Sequence, residues 1–129
     1  MVDGAASRRY SGRMFTRVVF ALAGLVGLGF LVPLYQEPGS YTYYGLLGAV
    51  AAWQFLFLMI AWRPAELRLA MIPAVLEKLL WVITLVTLYL RGGLTDVQLA
   101  GGTIPHGLLG VLFAVAYFRT STRQTRAPA

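Results

Sequence analysis

Cysteine is absent from this sequence. That absence removes disulfide staples, zinc–thiolate sites, iron–sulfur clusters and thiol nucleophiles. Charge is scarce too: Asp, Glu, Lys and Arg make up 12% of the residues, about half the usual share in soluble proteins. His106 is the single histidine, so no histidine-based metal triad is expected. The sequence offers no nucleophile–base arrangement either. Gly92-Gly93 reads as a turn and Gly101-Gly102 as a helix kink, not as phosphate-cradling loops.

What is abundant is apolar side chain. Of 129 residues, 58% are hydrophobic, and the mean hydropathy is +0.68. A water-soluble core of this size cannot absorb that much apolar surface, so lipid is expected to be the main solvent. The formal charge of +6 would suit a nucleic acid if the arginines formed a stripe on one soluble face. They sit instead at the ends of apolar runs, which fits orientation in a bilayer and attraction to anionic headgroups. No nucleic-acid partner is expected.

Residues 1–13 are small, polar and basic and read as a disordered or headgroup-bound tail. The first span is expected over 14–35, with 17 uncharged residues from Val18 to Leu34, enough to cross a ~30 Å hydrocarbon core. A basic stretch before an apolar run also describes a secretory signal. Here Pro33, Leu34, Tyr35 and Gln36 follow in place of a small-residue cleavage site, which favours a retained helix. Pro38-Gly39 marks a turn, and the second span is expected over 43–62, flanked by Tyr41, Tyr43 and Tyr44 at one end and Trp62 at the other. Arg63-Pro64 ends it. The short connection to Arg68 predicts an antiparallel hairpin of spans two and three.

The third span, 67–90, has normal length only if Glu77 and Lys78 are kept inside it. The fourth is expected over 96–118, with Thr95 or Asp96 as N-cap and a kink or local unwinding near Gly101 to Pro105. The alternative is a re-entrant segment at 96–103 followed by a short helix. Residues 121–129 form a second basic tail. The fold class is thus an all-α, integral membrane four-helix bundle with antiparallel up-down spans.

Nine arginines (8, 9, 13, 17, 63, 68, 119, 123 and 126) fall on one side of this layout, against Arg91 on the other. The positive-inside rule then predicts an N-in, C-in protein of the inner (plasma) membrane. Small residues at packing spacing, such as Ala23 and Gly27, support close helix contact.

The polar residues inside the spans converge in depth. At 1.5 Å rise per residue, Gln54, Glu77, Lys78 and His106 each lie ~15 Å into their spans. Ionised residues at that depth usually face the bundle interior and pair. Glu77 shares a stripe with Ala70, Ala74, Trp81 and Thr84. It is expected to hydrogen-bond Gln54 or His106. Lys78, ~100° away on the helix, is expected to point along another line, toward a different helix or subunit.

Two readings compete: polar glue that fixes helix register, and a ligand, proton or quinone-type site formed by Gln54, Glu77, Lys78, Trp81 and His106. Gly107 and Gly110 would leave room for a flat ring, so a haem or chlorin on His106 is a minor variant of the second.

The segments Ala52 to Gln54 (Ala-Trp-Gln), Arg63-Pro64 and Pro73 to Lys78 (Pro-Ala-Val-Leu-Glu-Lys) resemble those of small bacterial four-helix membrane proteins of unassigned function. The resemblance covers roughly residues 14–120, and size and span layout are loosely similar to DoxX-like proteins. His106 departs from it, standing where an acidic residue is expected. The resemblance implies the fold and no activity. The function expected is that of a non-enzymatic inner-membrane protein, free-standing or an accessory subunit of a larger membrane complex. The alternative is a carrier or enzyme for a lipophilic substrate, acting through Glu77.

Overall fold

A computed structural model describes residues 3–120 of the chain, with side chains from Tyr10 onward. It contains α1 (Asp3–Gln36), α2 (Tyr41–Trp62), a 3-10 turn (Arg68–Ala70), α3 (Met71–Leu90) and α4 (Asp96–Arg119). No strand occurs among the described residues, and all four helices are long and apolar enough to cross a membrane. The expected tail at 121–129 lies outside the described residues.

Helix ends follow local chemistry. Ser40 caps α2 by accepting from the Tyr43 amide at 3.2 Å. Thr95 caps α4, and Gln98 returns the bond to the Thr95 amide at 2.9 Å, a reciprocal box that satisfies two otherwise orphaned donors. After α3 the chain reverses at Gly92, whose φ of 74° lies in the left-handed region. There the amides of Gly92 and Gly93 donate to the Tyr89 and Leu88 carbonyls, both at 2.9 Å.

Two expectations need correction. The first helix starts at Asp3, so residues 3–13 extend α1 and are not a separate tail. Once Met14 onward is helical, each further residue adds a hydrogen bond without a new nucleation step, and Ala5, Ala6, Arg8 and Arg9 are good helix formers. The fourth helix runs unbroken through Gly101, Gly102 and Pro105, which removes both the local unwinding and the re-entrant alternative. Pro105 forfeits one bond to the Gly101 carbonyl, and both residues are exposed, so the ring meets no neighbouring helix.

The helices pack as two antiparallel pairs. In the first, Gly24 and Gly27 of α1 lie against Leu58 and Gln54 of α2, while Tyr35 approaches Gly48. In the second, Leu85 of α3 meets Gly102 of α4, and Lys78 meets Gly110. The pairs join through α1 and α4: Thr16 Oγ1 lies 2.8 Å from Thr120 Oγ1, and a Cβ at Gly12 would collide with the Arg119 carbonyl.

Helices α2 and α3 barely touch along their lengths, although the expected hairpin had them packed. Their connector is turned instead toward α4, because Arg68 donates to the Tyr117 carbonyl at 3.0 Å and lies 4.0 Å over the Tyr117 ring.

The core lies at one end. Phe20, Phe57 and Phe113 interlock there, with Phe20 stacked on Phe113 at 4.1 Å and Phe57 edge-on to Phe113 at 5.0 Å. Ile60, Met71, Ala74 and Ala116 complete the cluster. Arg13, Arg17, Arg63, Arg68 and Arg119 all belong to this end, and Arg91 to the other. Past Lys78 no residue of α3 is buried, and before Phe113 none of α4 is. The bundle is closed at the arginine end, and its two pairs diverge toward the Arg91 end.

Candidate functional site

The site begins where the two pairs part. On α3, residues 77, 81 and 84 follow helical spacing and line one side of a groove of about 380 Å³. Trp53 of α2 forms the opposite wall. Leu76 and Leu80, half exposed, form the lips. The groove therefore opens sideways, onto the surface that faces lipid when these helices span a bilayer.

Glu77 is the only acid in the groove. Its Oε2 lies 2.9 Å from Lys78 Nζ, with side-chain exposures of 15% for Glu77 and 5% for Lys78. The contact is an ion pair without hydrogen-bond angles, since Oε2 has no hydrogen-bond partner among the described residues. Lys78 packs its stem on Gly110 and holds its ammonium 5.1 Å from the centre of the Phe57 ring. The expected partition of the doublet is therefore revised. Lys78 does leave along another helix face, but its long flexible stem bends back to neutralise its own neighbour.

Gln54 and His106 do not reach Glu77 by hydrogen bond. Gln54 is buried against α1, where its amide covers Gly27 and donates to the Val50 carbonyl at 3.3 Å. Equal depth placed Gln54 at the right level, but on the wrong face for Glu77. His106 lies flat on Trp81, ring centres 5.2 Å apart and planes at 5°. Its Nδ1 and the Thr103 Oγ1 are buried without hydrogen-bond partners. A second recess of about 310 Å³ runs along the other side of α3, bordered by Lys78, His106, Gly107 and Gly110. Gly107 and Gly110, expected to leave room beside His106, border this recess.

The structure thus pairs Glu77 with Lys78 and Trp81 with His106, sets Glu77 and Trp81 on one recess and Lys78 and His106 on the other, and leaves Gln54 out of both. Trp53 is the groove residue that depth reasoning missed. An indole beside Gln54 and one turn before Phe57 was the available signal, whereas equal depth singles out only the charged, amide and imidazole groups.

Chemically, the groove offers one carboxylate, partly neutralised, between two indoles and aliphatic lips. Such a carboxylate accepts hydrogen bonds from a donor group carried into the groove on an apolar body. Nothing around it resembles a nucleophile with its base: the nearby Thr84 hydroxyl donates to the Leu80 carbonyl of its own helix at 2.8 Å. Among the described residues no three or more of His, Cys, Asp and Glu gather as metal ligands. No protein family matches the chain, and neither a curated protein nor a solved structure matches it.

Proposed function

We propose that this chain is a non-enzymatic, multi-pass protein of the bacterial inner membrane that holds a lipid- or quinone-type molecule in the groove between α2 and α3. The observation that carries the reading is the place of Glu77 on the lining of a lipid-open groove, with Lys78 2.9 Å away as its ion-pair partner. Had the midplane residues served solely as glue, Gln54 and His106 would be expected to spend their donors on that carboxylate. The occupant would be apolar over most of its length and would present an O–H or N–H group to Glu77. Stacking on Trp53 and Trp81 favours a flat ring next to that group.

Five arginines gathered at one end of the described helices support an orientation with both chain ends in the cytoplasm. The bacterial assignment rests on the resemblance of Ala52 to Gln54, Arg63-Pro64 and Pro73 to Lys78 to small bacterial four-helix membrane proteins.

The test uses the two indoles of the groove as reporters. In a Trp62→Phe background, which removes the exposed third tryptophan, a decyl-chain benzoquinol added to the protein in mild detergent should quench fluorescence saturably. Glu77→Gln should abolish saturation, and Leu80→Phe, which fills the groove without touching the ion pair, should do the same. Non-saturable quenching that is identical in all three proteins would reflect partition into detergent and would end the proposal.

A second reading, an accessory subunit of a larger membrane complex, draws on the lack of buried side chains in α3 past Lys78. A partner helix would fill that divergence. Co-purification of a stoichiometric membrane partner would favour it, and a clean monomer in mild detergent would count against it.

A further inference from the structure

The arginine end contains a second site, unrelated to the groove. Arg13 and Arg17 stand one turn apart on α1, and Arg63 follows the last turn of α2. The three border a recess of about 80 Å³ together with Trp62, Pro64 and Glu66. Arg63 is already engaged: it bonds Glu66 Oε2 at 3.3 Å and lies 4.9 Å from the Trp62 ring centre. Arg13 is not, since its Nε is buried with no hydrogen-bond partner. Neither Arg13 nor Arg17 has an ion pair among the described residues.

Three guanidiniums against one carboxylate repel one another, and like charges one turn apart on a helix destabilise it. A buried guanidinium N–H without an acceptor adds to that cost. A single anion with several acceptor oxygens relieves both, because the planar guanidinium fork matches phosphate geometry. The recess also has an apolar flank, formed by Trp62, Pro64 and Ala65. Met14 and Val18, next to Arg13 and Arg17 on α1, are exposed, as is Trp62. A free phosphate would leave that flank bare, whereas glycerol and the upper acyl carbons of a lipid would cover it.

We infer that Arg13, Arg17 and Arg63 form a binding site for the phosphodiester of an anionic glycerophospholipid, with its acyl chains lying along Met14, Val18 and Trp62. The site is built by residues 50 positions apart in sequence, so it reads the packed α1–α2 pair and not either helix alone.

The experiment measures thermal stabilisation of the full chain in an uncharged maltoside detergent. Dioleoyl phosphatidylglycerol should raise the melting temperature saturably, and dioleoyl phosphatidylcholine should not. Arg17→Gln, at an exposed position where folding is spared, should weaken the half-saturating concentration by about tenfold, as loss of one charge-assisted bond implies. Arg13→Gln should do the same, and Arg91→Gln, at the opposite end, should leave it unchanged. Equal weakening by Arg91→Gln would reduce the effect to bulk charge and overturn the site. Equal stabilisation by phosphatidylcholine, or saturation by inorganic phosphate alone at the same concentration, would overturn the lipid assignment.

Discussion

The closed and the divergent halves of this bundle are built from equally apolar helices. The same four apolar helices run through both halves, yet the buried residues of α3 and α4 fall almost entirely toward the arginine end. Apolarity therefore does not decide which half closes. Lipid tails solvate a leucine as well as another leucine does, so helices associate in a bilayer through shape and hydrogen bonds. The closed half has both. Three phenylalanine rings interlock, Gly12 lets the Arg119 carbonyl approach, and Thr16 reaches Thr120. The divergent half presents Ile83, Leu90, Val97 and Ile104 outward, and it has no comparable interlock between the pairs.

The sharpest way to break the comparison is to truncate one apolar side chain on each side of it. Phe113→Ala should cost about 3–5 kcal/mol, since it removes a fully buried ring that contacts both Phe20 and Phe57. Ile104→Ala, at a residue 67% exposed, should stay within about 0.5 kcal/mol. Unfolding in mixed detergent micelles measures both. Equal losses would mean that the two halves are packed alike.

Next comes the ion pair at the boundary between the halves. Lys78→Met leaves Glu77 without its neutralising partner and should cost about 3 kcal/mol, the low end for breaking a buried pair. Adding Glu77→Gln to that variant should recover most of the loss, because the double change removes the stranded charge. A double variant as unstable as Lys78→Met alone would show that Lys78 acts through its packing on Gly110 and Phe57 instead.

The spans were legible in the sequence, whereas neither the phenylalanine core of the closed half nor the groove between the pairs was. Span number and the inclusion of Glu77 and Lys78 in the third helix follow from length alone, since no other partition leaves a crossing helix there. Depth was also readable, because rise per residue is fixed by helix geometry. Facing was not. Gln54 and Glu77 share a level, but Gln54 is turned onto Gly27, and only the pairing of α1 with α2 determines that. The groove arises because α2 and α3 meet only near the core and barely touch along the rest of their lengths, a property of the whole assembly that no single helix encodes. The side-chain stripe through Glu77, Trp81 and Thr84 was readable as a face; that it lines an opening and not a contact was not.

Gly27 and Gly29 of α1 sharpen the same contrast within one helix. A Cβ at Gly27 would run into the Gln54 amide, whereas one at Gly29 meets nothing within 4 Å. Gly27→Val should therefore cost about 1–3 kcal/mol by forcing α1 and α2 apart or displacing Gln54. Gly29→Val, projecting into open surroundings, should cost far less. The measurement is again detergent unfolding. A reversed order would mean that Gln54 yields freely and that the α1–α2 contact is set elsewhere.

The smallest effect is the most specific test of what joins the two pairs. Thr16 and Thr87 are both threonines that bond a carbonyl one turn back, Gly12 at 3.0 Å and Ile83 at 2.8 Å. Only Thr16 also crosses to another helix, meeting Thr120 Oγ1 at 2.8 Å and the Ala116 carbonyl at 3.4 Å. Thr→Val keeps the shape and deletes the hydroxyl, so the intrahelical loss is common to both sites and cancels in the difference. Interhelical hydrogen bonds inside membrane bundles contribute about 0.6 kcal/mol on average, and Thr16→Val should exceed Thr87→Val by about that amount. If the two substitutions cost the same, the threonine pair does not fasten α1 to α4. The closure of the arginine end would then rest on the phenylalanine cluster and the close approach at Gly12.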